Sequence, residues 1–112
     1  MPHCVIECSA GLEQYIAPRE LMENVFDGVM ASALFAAKDV KVRTQFFEQF
    51  MSGANHRFFV HVNVYLLPGR TDEQKSALSD LVLAGIEGLG IPVLEISVQA
   101  IDLETNYVKA LT

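Results

Sequence analysis

Basic residues are scarce in this chain of 112 residues. Eight Lys and Arg stand against fourteen Asp and Glu, for a net charge of -6. No basic run or stripe is present to neutralise phosphates, which argues against a nucleic-acid partner. An anionic ligand would need a few locally concentrated cations, so each arginine is informative. Long apolar runs are also missing. The stretch Val25 to Ala37 is interrupted by Asp27, and nothing reaches the ~18–20 residues of a membrane span. No positively charged leader precedes a hydrophobic run, so a cytoplasmic protein is expected. Cysteine is limited to Cys4 and Cys8. On one strand they would lie about 13 Å apart at ~3.3 Å per residue, too far for a disulfide. There is no Cys-x-x-Cys pair, and three scattered histidines without Glu or Cys at ligand spacing make no metal site. No nucleotide motif is present, so the expected chemistry needs no cofactor.

What is present is apolar. Hydrophobic residues make up 51% of the chain and the mean hydropathy is positive. That is rich for a small monomer and suggests burial against further copies of the chain. The length fits one domain spanning 1–112.

Pro2 to Cys8 reads as a strand, with Pro2, Cys4, Ile6 and Cys8 on one face and His3, Val5 and Glu7 on the other. A helix follows from about Pro18, its apolar face carrying Leu21, Met22, Val25, Phe26, Val29, Met30 and Ala33. Asp39 to Phe50 reads as a second strand with Lys41 and Arg43 on one face. Ser52 to Asn55 is a turn, and Arg57 to Leu67 a third strand. Thr71, with Gln74 three residues on, has the spacing of a capping box. The helix it opens turns Leu78, Leu81, Val82, Ile86 and Leu89 inward and stops at Gly90, before Pro92. Leu94 to Leu103 is a fourth strand, and the tail Glu104 to Thr112 reads as a small extra strand or an oligomer contact.

The order predicts an α/β (α+β) fold of two β-α-β units, about 2–52 and 58–103. They form a four-stranded sheet with two helices on one face. The strands carry many apolar residues on both faces. The uncovered face is therefore expected to be buried by self-association.

Met1-Pro2 is the chemically distinctive stretch. A mid-chain proline nitrogen is a tertiary amide without basicity. Removal of Met1 would make Pro2 a secondary amine with a ring-fixed lone pair, able to act as a general base.

The run Pro68-Gly69-Arg70-Thr71-Asp72-Glu73-Gln74-Lys75 resembles the strand-to-helix turn of the tautomerase superfamily. The opening Pro2-His3-Cys4-Val5-Ile6-Glu7-Cys8-Ser9 resembles that of the 5-carboxymethyl-2-hydroxymuconate Δ-isomerase family, as do Phe59-Val60-His61 and Gly69-Arg70. The resemblance covers nearly the whole chain. It implies a homotrimer whose three sheets pack into a barrel, and a cofactor-independent isomerase acting on a small anionic unsaturated acid. Pro2 is implied as the catalytic base and Arg70 as a carboxylate ligand. A second cation comes from the second strand, implied in the family to act from a neighbouring subunit; here it is Lys41 or Arg43. Phe46 and Phe47 either wall the pocket or pack in the core. His3 and His61 are read as structural, and His56 falls in a turn. Hydratase, dehalogenase or decarboxylase chemistry on the same amine, or a trimeric binding protein if Met1 is retained, are the alternatives.

Overall fold

In a computed structural model, residues 1–55 and 58–112 are described. Six main elements follow one another: β1 (His3–Ser9), α1 (Pro18–Ala31), β2 (Lys41–Phe47), β3 (Phe58–Leu66), α2 (Asp72–Glu87) and β4 (Leu94–Asp102). The sheet order is β2-β1-β3-β4. β1 and β2 are parallel, as are β3 and β4, while β1 and β3 run antiparallel down the middle. Each parallel pair is joined through a helix, as parallel strands require.

The period-two pattern of β1 is obeyed. Cys4, Ile6 and Cys8 are fully buried with Val60, Val62 and Val64 of β3 beneath the helices. From α1 come Leu21, Val25 and Val29, and from α2 Leu78, Val82 and Ile86, each set at i, i+4 and i+8. Pro18 opens α1 at a position where its missing N–H costs nothing. Thr71 and Gln74 form the reciprocal capping box of α2, with Thr71 Oγ1 accepting from Gln74 N at 3.1 Å and Gln74 Oε1 from Thr71 N at 2.8 Å. The helices pack on each other at Gly28, where an added Cβ would stand 3.1 Å from the Cα of Val82.

Several boundaries differ from the sequence reading. β2 is shorter than Asp39 to Phe50, because Ala37–Asp39 closes a 3-10 turn in which Val40 N donates to Ala37 O. α2 ends at Glu87, and its chain tightens through i to i+3 bonds before Gly90 turns left-handed at φ 68°. Leu81 is 37% exposed rather than inward, since the inward stripe follows Leu78, Val82 and Ile86. Arg57, placed at the start of the third strand, and His56 lie outside the described residues.

The open face of the sheet is more polar than expected. It carries His3, Val5 and Glu7 of β1, Lys41, Arg43 and Gln45 of β2, Phe59, His61, Asn63 and Tyr65 of β3, and Glu95, Ser97, Gln99 and Ile101 of β4. His61 bonds Ser97 Oγ at 2.6 Å through Nδ1 and Asn63 Oδ1 at 2.8 Å through Nε2, and Gln99 Nε2 donates to Asn63 Oδ1 at 2.9 Å. These bonds, two across strands and one within β3, satisfy a face that strand alternation alone suggested was more apolar. Among the described residues, no helix is long and apolar enough to cross a membrane.

Candidate functional site

The topology gathers the starts of β1 and β2 and the ends of β3 and β4 at one end of the sheet. Pro2 is buried there. Its carbonyl accepts from Lys41 N at 3.0 Å, which ties the start of β1 to the start of β2. Leu66, at the end of β3, accepts from Leu103 N at 2.7 Å, which brings the C-terminal tail to the same end.

Arg70 follows β3 by four residues. Its Nη2 donates to Leu34 O at 3.0 Å and its guanidinium carbon lies 5.3 Å from the centre of the Phe35 ring. It therefore fastens the α1–β2 connection against the α2 entrance. Its Nε is buried and has no hydrogen-bond partner among the described residues. Lys41 is exposed, with Nζ donating to Asp39 O at 3.1 Å. Arg43 lies on the open face, and its Nη1 is 3.2 Å from His3 Nδ1. Phe46 is elsewhere. It pairs with Cys8 at the far end of the sheet, about 20 Å from Pro2 at the rise of a strand. It packs against the core, so within one chain it does not wall this site.

The hydrogen bonds of His3 fix its tautomer. A guanidinium can only donate, so Nδ1 accepts from Arg43. Nε2 then carries the proton and donates to the hydroxyl of Tyr107, 3.0 Å away. Burial, then Arg43 and Lys41, hold the His3 pKa below its ordinary value, consistent with this neutral ring. His61 is engaged in the polar ladder described above, as a structural histidine would be.

The tail supplies residues that pattern reading had assigned only to strand or oligomer contact. Met1, Asp39, Leu67, Tyr107 and Lys109 line a cavity of about 360 Å³. The alternation of Tyr107 and Lys109 with apolar residues suggested a small extra strand, but the tail after β4 forms none. The terminal amine of Met1 borders this cavity. Burial lowers its pKa first, then the charges of Lys41 and Lys109, against a raising effect of Asp39. The Met1 amine is thus biased toward its neutral form.

The two cysteines offer no competing nucleophile. Both are buried and free. Burial pushes the Cys4 thiol up to about 12 and raises that of Cys8, so neither ionises near neutrality.

Solved structures share this architecture. A 5-carboxymethyl-2-hydroxymuconate isomerase from Deinococcus radiodurans R1 superimposes with a TM-score of 0.82 at 18% identity, covering 99% of this chain and 90% of its own. A 5-carboxymethyl-2-hydroxymuconate delta-isomerase gives a TM-score of 0.86 at 13% identity, with 100% and 89% covered. A fused 4-OT, described as a wild-type symmetric trimer, gives 0.67 at 20% identity, with 89% and 85% covered. No curated protein sequence matches. The profile of one isomerase family matches residues 2–111, and on that match this chain belongs to the 5-carboxymethyl-2-hydroxymuconate isomerase family.

Proposed function

We propose that the protein, once Met1 is removed, uses the secondary amine of Pro2 as the general base of a keto-enol isomerisation. The substrate class is a 5-carboxymethyl-2-hydroxymuconate-type acid from the breakdown of aromatic compounds. In the reaction the enol O–H bond breaks and its electrons form the C=O bond. The π electrons of the enol C=C bond shift along the conjugated system and form the new C–H bond with the proton that Pro2 nitrogen carries. No electrons are gained or lost overall, so the balance needs no oxidant or reductant.

The observation that carries this reading is the cationic, partly buried setting of the chain terminus. A free α-amine has a pKa near ~8 and a working base is best matched near neutrality. Burial with Lys41 and Lys109 nearby lowers the pKa of the Met1 amine, and Pro2 lies one residue deeper, in a buried position, where the same influences are proposed to act on its freed amine. Arg70 is proposed to bind one substrate carboxylate with the N–H groups it does not give to Leu34. Lys41 and Arg43 supply the second cation. Phe46 contributes only across a chain boundary, in a homotrimer that buries the open face.

The test is the ketonisation of 5-carboxymethyl-2-hydroxymuconate, followed by absorbance, with protein whose intact mass shows Met1 absent. Turnover that falls at least about a hundredfold in Pro2→Ala supports the amine as base. Unchanged turnover in that variant would refute it.

A further inference from the structure

We propose that Asp39 is a positioning residue for the amine of Pro2: its carboxylate accepts the N–H that the proton-carrying nitrogen does not pass on. This rests on the reading of Pro2 as the isomerase base. Met1 is joined to Pro2 nitrogen by the peptide bond, so the space beside Met1 opens onto that nitrogen once Met1 is gone. That space is the cavity of about 360 Å³, and Asp39 lines it with Leu67, Tyr107 and Lys109. Among the described residues, Asp39 is the one acid on its wall.

Backbone bonds hold Asp39 in place. Its N donates to Ala36 O at 3.0 Å, and its O accepts from Lys41 Nζ at 3.1 Å. Lys41 N in turn donates to Pro2 O at 3.0 Å. The turn that carries Asp39 is thereby tied to the residue whose nitrogen reacts. The side chain is the contrast: among the described residues its carboxylate has no hydrogen-bond or ion-pair partner. Burial, Lys41 and Lys109 lower the pKa of the Met1 amine and Asp39 opposes them, so its charge is felt at this terminus.

The chemistry asks for such a group. A neutral proline amine has one N–H and one lone pair. On taking the enol proton it becomes an ammonium with two N–H bonds, of which one is delivered to carbon. The other needs an acceptor, because a buried charged donor without one is costly. An acceptor for that N–H also keeps the lone pair of the neutral amine turned toward the cavity, as the orienting member of a catalytic set does. The other side chains here do not serve. Lys41, Lys109 and Arg43 can only donate. Both ring nitrogens of His3 are engaged, and Tyr107 oxygen already accepts from His3. The Cys4 thiol, at about 12, stays protonated. Asp39 is the side-chain acceptor that remains.

Asp39→Asn keeps the shape of the side chain and the backbone bonds of its turn, so the fold is retained. Its two readouts move in opposite senses. Loss of the negative charge lowers the pKa of the Pro2 amine, so the rising limb of kcat/KM shifts to lower pH and more of the amine is free at neutrality. The plateau of kcat should nonetheless fall about tenfold, because the ammonium loses a charged acceptor. Glu20→Gln removes an exposed charge from the first turn of α1 and should change neither. A merely structural role for Asp39 lowers activity without moving the limb. An unmoved limb or an undiminished plateau would overturn the assignment. The amine is also titrated directly, by NMR on Met1-free protein carrying isotope-labelled proline, which needs no turnover. A parent protein without turnover would count against the isomerase reading, whereas a Pro2 pKa equal in parent and Asp39→Asn would overturn the Asp39 contact.

Discussion

At the scale of single residues, the Pro2 end is governed by which groups stay neutral. The proposed base works only as a free amine, so kcat/KM should rise with pH through the amine pKa and then level. Lys109 is one of the charges that lower the pKa of the Met1 amine, and it is proposed to act in the same way on the amine of Pro2. Replacing it in Lys109→Ala weakens that effect, so the rising limb should move to higher pH, as measured by a pH profile of kcat/KM. An unmoved limb would exclude Lys109 as a contributor. His3 gives a stability counterpart. Its folded pKa lies below the ordinary value, so the unfolded chain takes up the proton first as pH falls. Stability from this group is complete above the ordinary histidine value of ~6.5 and is lost as pH drops from there through the folded pKa. Melting temperatures at pH 7 and pH 5 should therefore differ less in His3→Gln than in the parent protein.

At the scale of elements, the two helices test how far local rules carry. Gly28 in mid-helix should be improved by alanine by about 1 kcal/mol on propensity alone. Yet the new Cβ would meet the backbone of α2 at 3.1–3.3 Å, and backbone cannot rotate aside as a side chain can. Overpacking of this kind costs about 1–3 kcal/mol, so Gly28→Ala should destabilise by about 1 kcal/mol in denaturant titration. A more stable variant would mean that the helices can separate freely. The contrast with Thr71 shows what was legible in the sequence. The Thr71–Gln74 box is a relation between near neighbours, and it was readable from spacing alone; so was the buried face of β1. The close approach of Gly28 to Val82 joins residues far apart in the chain, and nothing in either local pattern marks it. The shortening of β2 has the same character: a 3-10 turn at Ala37–Asp39 delivers Lys41 to Pro2, a tertiary need that alternation does not encode. At the candidate site, Pro2, Arg70 and the pair Lys41 and Arg43 stand out in the sequence as unusual chemistry in an acidic chain. Tyr107 and Lys109 do not, because a tail acquires meaning only when β4 brings it beside β1.

At the scale of the whole molecule, the chain's surface bears on assembly. A sheet face bearing His61, Asn63, Ser97 and Gln99, mutually bonded, can face water. Its polarity therefore does not by itself demand a partner. The stronger argument comes from the far end of the sheet. Phe50 is 41% and Met51 96% exposed, and both line a cavity of about 300 Å³ with Phe58, Phe59 and Glu95. Phe50 and Phe59 stack edge to face at 5.2 Å, so an aromatic floor lies open beneath an exposed methionine. Exposed apolar surface of this kind marks an interaction site. In a closed ring each chain would offer this end to its neighbour. The parent protein should sediment at three times the chain mass. Met51→Asp places a charge on that surface while leaving the core untouched, and it should shift the protein toward monomer with its circular dichroism spectrum retained. A variant that stays trimeric would remove this end of the sheet from the interface. A parent protein that sediments as a monomer would remove the trimer itself, and with it any role for Phe46 at the Pro2 site.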